Sequence, residues 1–420
     1  MTSNSLWHPQ TAMSSIDSTR TVIASGRGAW VRTETGEDLL DLPAGLWHAN
    51  VGHGRARIAD AVRTQLARLE TYHLFQGMAN RPAIELADRV AELGPVPDAK
   101  VFLTSGGSDS VDTACKLARR HWQLAGRPAK RVIVSRQHGY HGLHGFGTSI
   151  TGIPGNREGY GSESLVPETA RVPWDDLEAT ERDLLRIGPE NVAALIAEPV
   201  IGTGGVLLPP DGYLHGLAAL CRRLDVLFIA DEVITGFGRT GEWFASGRYG
   251  VEPDMVTMAK GITSGYLPLG GVLVGRRIWA PFFERSDGAP TFRHGLTYSG
   301  HAAACVAASV NLDIIEDEGL LERVRTLEPM LADALAPMAD HGAVVQVRSG
   351  TGLLAAVQLA PDVDAAPVLR AARERGVLTR LLADNSLHIS PPFVITPEEI
   401  SRAADVITTA LDSARALDRA

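Results

Sequence analysis

The sequence predicts an α/β protein with a mainly parallel central sheet in a large domain and a smaller α+β domain built from both chain ends. Three observations predict it. Short apolar runs alternate with amphipathic helical stretches through the middle of the chain, the pattern of crossover units on a parallel sheet. Ahead of that region lies a short strand-like meander. After it the chain changes to a different mixture of helices and strands.

The elements follow in chain order. In GRGAWVRTETGEDLLDL two strand-like runs flank the turn residues Glu34 to Glu37, and residues 1–55 are assigned to the small domain. IADAVRTQLARL and RPAIELADRVAEL have helical periodicity, the second opening with proline in its first turn. Strands are expected at 101–104, 131–135, 192–200, 226–233, 254–260 and 269–275, with helices such as SDSVDTACKLARRHWQLAG and GYLHGLAALCRRLD between them. The large domain spans 56–312 and closes on HAAACVAASVNLDIIEDEG, apolar enough to be buried or to lie at a subunit contact. Residues 313–420 read as a helix, strand-like VVQVRSGTGLLAAVQLA, the helix APVLRAARERG, strands VLTRLL and LHISPPFVI, and a last helix from Pro397.

Composition narrows the partners. The chain has 420 residues, is 45% hydrophobic and carries a formal charge of -9, which opposes nucleic acid or an anionic membrane and favours a small-molecule substrate. Cys115, Cys221 and Cys305 are far apart and form no CxxC pair, so neither a disulfide framework nor a thiolate metal site is expected. No stretch reaches the roughly 18 apolar residues of a membrane span, and MTSNSLWHPQ lacks a leader pattern, so a soluble, cytoplasmic protein is expected.

Open α/β sheets bind ligands outside the carboxyl ends of their strands. Applied here, that rule gathers the chemistry on one rim. The expected strand ends deliver Ser105-Gly106-Gly107-Ser108, Tyr140-His141, Glu198, Asp231 with Glu232, and Lys260. The SGGS loop opens a helix, where exposed N–H groups and the macrodipole suit a phosphate. Ser108 also reads as a plain helix cap. Lys260 is one of only four lysines and ends the apolar run MVTMAK, where desolvation would leave its amine nucleophilic toward an aldehyde; a snorkelling surface lysine is the alternative. Asp231 ends VLFIA, so its carboxylate needs a strong partner such as a protonated pyridine nitrogen, or else a structural ion pair. Phosphate loop, aromatic, acid and lysine together are the parts that pyridoxal phosphate requires. His138, His141 and His144 are spaced by glycines that oppose a metal-binding helix, so no metal is expected and Tyr140 is expected to matter more than these histidines.

At these residues the chain resembles the class III (omega) aminotransferases, pyridoxal phosphate-dependent transferases of fold type I. The matching stretches are DLPAGLWHANVGHG, TSGGSDSVDTACKLAR, YHG, AEPVIGTGG, ADEVITGFGRTG, PDMVTMAKGITSGYLPLGG, HGLTYSGHAAA, GVLTRLL and HISPPFVIT. The resemblance implies that Lys260 forms the Schiff base, that Asp231 pairs with the pyridinium, and that Val233 and Tyr140 sandwich the ring. It implies further that Gly107 and Ser108, flanked by Ser105 and Gly106, hold the phosphate, with His141 and Glu198 close to the cofactor. Thr297 matches a position that reaches the neighbouring subunit's phosphate, which implies a homodimer with shared sites. On the substrate side, Arg380 and Trp47 match the amine:pyruvate branch. Leu74, next to Phe75, stands where many members have phenylalanine, and His388 stands where ornithine-type members have arginine. The reaction implied is transfer of an amino group between an amine or ω-amino acid and a keto acid or ketone. A tailoring aminotransferase for a natural product or peptide, an isomerase or decarboxylase of the same fold, and a noncatalytic cofactor-binding protein are the alternatives.

Overall fold

A computed structural model describes residues 5–16, 20–160, 165–284 and 288–417. The meander near the start forms β1 (Ile23–Arg27), β2 (Trp30–Thr33) and β3 (Asp38–Asp41), paired antiparallel around the expected turn. The middle of the chain supplies β4 (Lys100–Thr104), β5 (Val132–Arg136), β6 (Thr169–Val172), β7 (Val192–Ala197), β8 (Leu227–Asp231), β9 (Met255–Met258) and β10 (Gly270–Val274). These seven make one sheet in the order β4-β10-β9-β8-β7-β5-β6. β10 runs antiparallel to β4 and β9, and every other pairing is parallel, so the carboxyl ends of β4, β5, β7, β8 and β9 share one edge.

Why these runs become central strands is visible in their burial. Every residue of β7, β8 and β9 is buried. Successive side chains point to opposite faces. Ala194 and Ile196 pack with Val111, Ala114 and Ala118 of helix Gly107–Leu124, whereas Leu195 and Ala197 pack with Leu214, Leu217 and Cys221 of helix Tyr213–Arg223. A strand sandwiched in this way has no polar face, which is why it reads as an unbroken apolar run. Helix Ala302–Asp317, with ten buried side chains, lies in the core beside helices Ala56–Arg68 and Arg81–Leu93.

The C-terminal region contributes β11 (Val344–Arg348), β12 (Ala355–Leu359), β13 (Val377–Leu378) and β14 (Ser386–Ile389). β11, β12 and β14 form an antiparallel sheet, while β13 pairs in parallel with β3, joining the two ends of the chain. The edge strand β6 had no counterpart among the expected strands; Pro167 and Pro173 flank it, and only Val172 within it is buried.

Arg239, in the loop after β8, ties these parts together. It is fully buried and donates to the carbonyls of Leu353 (3.3 Å), Ser390 (3.1 Å) and Pro391 (2.6 Å) and to Asn50 Oδ1 (2.8 Å), with its guanidinium 4.7 Å from the centre of the Phe393 ring. Burial pulls its pKa down to about 9. Replacing it removes four hydrogen bonds from sealed acceptors, each costly to leave unpaired. Arg239→Met is expected to lower unfolding stability by about 3 kcal/mol or more, read from the urea midpoint; a change within about 0.5 kcal/mol would contradict this account.

Candidate active site

The shared strand edge opens into a cavity of about 400 Å³ lined by Ser105 to Ser108, Tyr140, His141, Glu198, Asp231, Val233 and Lys260. Because β10 enters the sheet from the opposite direction, Leu267, Pro268 and Leu269 come to the same rim. The topology thus gathers side chains that are far apart in the sequence, Ser105 and Lys260 among them at a separation of 155 positions.

Asp231 is the last residue of β8, and parallel register sets it opposite Thr257 on β9. Thr257 Oγ1 donates to its Oδ1 at 2.8 Å, and the Val233 N–H donates to the same oxygen at 3.2 Å. His141 Nδ1 lies 2.7 Å from Oδ2, with both side chains buried. Of His138, His141 and His144, it is His141 that grips the buried acid. Its Nε2 is sealed from solvent and has no partner among the described residues. No group of three or more His, Cys, Asp or Glu side chains suited to a metal occurs among the described residues.

Lys260 follows β9 with a left-handed backbone, φ 45°, a conformation that a residue with a Cβ adopts only under constraint. Its amine faces the cavity. Enclosure by the protein draws its pKa down to about 8, against the opposing pull of the Asp231 and Glu198 carboxylates. Lys130, another of the four lysines, is 1% exposed and is also drawn down to about 8 by burial. It differs in being spent: its Nζ donates to the Pro189 carbonyl at 2.7 Å and sits 4.4 Å from the Trp122 ring centre.

Helix Gly107–Leu124 takes its first backbone bond from Ser110 N–H to Gly106 O at 3.1 Å, so the N–H groups of Gly107, Ser108 and Asp109 lie ahead of the ladder. Gly107 is required by close approach, since a Cβ there would meet Val233 Cγ1 at 2.9 Å. Gly142, at φ 80°, would strike Ser108. Ser108 Oγ accepts from Leu143 N–H at 3.2 Å, which ties the phosphate-type loop to the segment carrying Tyr140 and His141.

Glu198 is buried and accepts from the Tyr140 N–H (2.8 Å) and the Gly202 N–H (2.9 Å). Burial raises its pKa above the usual carboxylate range, partly offset by His141. The phenol of Tyr140 is raised by burial as well, with Glu198 and Asp231 adding to the shift. Glu232, although adjacent to Asp231, turns away from the cavity and accepts from Ala245 N–H (2.6 Å), Ser246 N–H (2.8 Å) and Thr235 Oγ1 (3.0 Å).

Trp47, Arg380 and His388 form a cluster of their own and are not among the residues that line the cavity. The Arg380 guanidinium lies 4.3 Å from the centre of the Trp47 ring, and its charge acts on both Tyr140 and Lys260. Leu74, Phe75 and Thr297 are not brought to this cavity. Leu74 and Phe75 line a separate hollow with Gly295 and Ser299, and Phe75 and Thr297 are exposed. Sequence reasoning passed over His48, which lines the cavity, and Thr257, which holds Asp231. The period-two pattern of β9 could have pointed to Thr257, a lone hydroxyl in an apolar strand; nothing local marks His48.

An open α/β sheet with an enclosed amine, a sealed acid and a free helix N-terminus on one rim defines an enzyme built around an aldehyde-type cofactor. Residues 12–411 match the family Aminotransferase class-III, and the chain belongs to that family; it is an aminotransferase. The chain is 37% identical to the putrescine–pyruvate aminotransferase of Pseudomonas aeruginosa, covering 94% of this chain and 91% of that protein. Among solved structures, an amine transaminase from an uncultivated Pseudomonas species in its pyridoxal phosphate-bound form superposes with a TM-score of 0.93 at 34% identity, covering 98% of this chain and 99% of the other. An (S)-enantioselective ω-transaminase from Thermomicrobium roseum gives 0.92 at 38% identity, over 97% and 96% of the two chains.

The depressed pKa of Lys260 has a direct readout. Its neutral, reactive form should grow as pH rises through about 8, whereas an ordinary lysine requires about pH 10. Reductive methylation of the cofactor-free protein, followed at Lys260 by peptide mass spectrometry, is expected to show its midpoint near 8. A midpoint at about 10 would remove the enclosure argument.

Proposed function

We propose that the cavity holds pyridoxal phosphate and that the enzyme transfers an amino group between an amine or ω-amino acid and a keto acid of the pyruvate type. The observation that carries the reading is the meeting of the Lys260 amine, the Asp231 carboxylate and the helix N-terminus at Gly107 in one cavity. The residues fit the group. Lys260 offers a primary amine, Asp231 an anchored acid for the pyridine nitrogen, Ser105 to Ser108 N–H and hydroxyl donors for the phosphate, and Tyr140 and Val233 the surfaces for the ring. His141 and Glu198 complete the polar surround.

When bound, this cofactor supplies an electron sink for the carbon that bears the amino group. The rest is done by the chain. Lys260, with a pKa of about 8, is partly neutral near pH 7.5, so it serves as nucleophile and then as the group that takes and returns a proton at Nζ. Thr257, the Val233 amide and His141 fix the Asp231 carboxylate so that it cannot turn away. Arg380 is the cation for a substrate carboxylate, and Trp47 is the apolar wall it lies on. The putrescine–pyruvate enzyme's name supports a pyruvate-like acceptor.

Leu74, Phe75 and Thr297 are assigned to the cavity of a second copy, which makes the working form a homodimer. Their distance from this chain's own cavity and the exposure of Phe75 and Thr297 support that assignment. Residence in a reducing cytoplasm is supported by three buried, unpaired cysteines. No helix among the described residues is long and apolar enough to cross a membrane.

Lys260→Ala is expected to lower turnover by about 10³-fold or more and to abolish the absorbance of the linked cofactor, measured on protein reconstituted with pyridoxal phosphate. Retained transamination would refute the assignment. Thr297→Ala is expected to leave a dimer by sedimentation but to speed cofactor loss by about tenfold; a monomeric wild-type protein would remove the shared-site assignment.

A further inference from the structure

Arg380 has a partner that binding a carboxylate does not by itself require. Its Nε donates to His388 Nδ1 at 3.2 Å, and the two residues are held together by their backbones, His388 N–H donating to the Arg380 carbonyl at 2.9 Å. Thr379 Oγ1 closes the same turn on the His388 carbonyl at 2.8 Å. The His388 ring is fully buried in β14 and lies 4.1 Å, centre to centre, from Trp47, on which the guanidinium also rests.

The geometry assigns the protons. Because Nδ1 accepts from Arg380, the ring proton sits on Nε2, which is sealed and has no partner among the described residues. A protonated ring would set N–H against N–H, and burial together with the Arg380 and Arg239 charges holds the His388 pKa well below its usual value. His388 is therefore a permanent acceptor. With Nε committed to it, the two terminal nitrogens of Arg380 make no hydrogen bond to the described residues, leaving the paired N–H fork that matches a carboxylate.

We propose that His388 is a positioning residue and specificity determinant: as a neutral acceptor it seats the Arg380 guanidinium on Trp47 with its fork free, favouring carboxylate-bearing substrates over purely apolar amines. The inference rests on the reading of Arg380 as the carboxylate-binding cation. For an apolar amine the guanidinium has to yield its place, which means breaking the Nε–Nδ1 bond and leaving the ring. For a keto acid the seated arginine is already in position, so its orientation costs nothing further.

Steady-state kinetics of the reconstituted enzyme with pyruvate as acceptor and 1-phenylethylamine as donor test this. His388→Leu is expected to raise KM for pyruvate by about tenfold, to lower KM for the amine or leave it unchanged, and to keep kcat within about twofold. His388→Asn, whose side-chain oxygen reaches about as far as Nδ1, should restore the pyruvate KM. His388→Gln, which carries its oxygen one bond further, should not. These two polar variants decide the matter even if the leucine variant does not fold, and the cofactor absorbance reports an intact site in each. Equal behaviour of Asn and Gln, or a fall in kcat with both KM values unchanged, would overturn the inference. Arg380→Ala separates it from its premise: an unchanged pyruvate KM there refutes the arginine's role itself, whereas a raised one beside an unaffected His388→Leu refutes only the part given to His388.

Discussion

A carboxylate at the end of a strand covered on both faces must find partners inside the protein, and much of this site is arranged around how Asp231 finds them. Register on β9 brings the Thr257 hydroxyl, the turn after β8 brings the Val233 amide, and the loop after β5 brings His141. Those partners come from one strand and two connections of the sheet. Fixing the acid therefore also fixes the relative places of Val233, Tyr140 and the glycine-bounded loop that carries Tyr140. An unpaired buried charge costs several kcal/mol, and each of the three partners offsets part of that cost.

The same enclosure acts in opposite directions on the two kinds of group it surrounds. It lowers the amine of Lys260 toward neutrality and raises the carboxyl of Glu198. Both shifts bring the protonation equilibria closer to working pH, where proton transfer is most effective. The left-handed backbone at Lys260 belongs to the same picture, since strain there is sustained by the rigid strand before it and by the 3₁₀ turn Lys260–Ile262 after it.

The residues proposed above for substrate choice come from a different part of the fold. Trp47 comes from the N-terminal region, and Arg380 and His388 from the segment around β13 and β14. Arg239 links those same regions through Asn50, Ser390 and Pro391. On that proposal, specificity depends on how the two chain ends fold against each other, whereas the residues proposed for the cofactor lie on the rim of the central sheet.

How much of this could be read from the residues alone follows from the length scale of each cause. Continuous apolar runs such as VAALIA and LFIAD announce central strands because burial on both faces is a local demand, and strand ends carrying Asp231 and Lys260 stand out against them. The edge strand β6, with a single buried residue between prolines, leaves no such trace. The burial of Lys130 depends on Trp122 and Pro189, eight and 59 positions away, and no local pattern reports that. His48 and the pairing of His141 with Asp231 were likewise decided by the tertiary structure. Periodicity and strand ends reside in neighbouring residues. Which histidine touches which acid, and where an arginine rests, depends on contacts between segments that the chain brings together only when it folds.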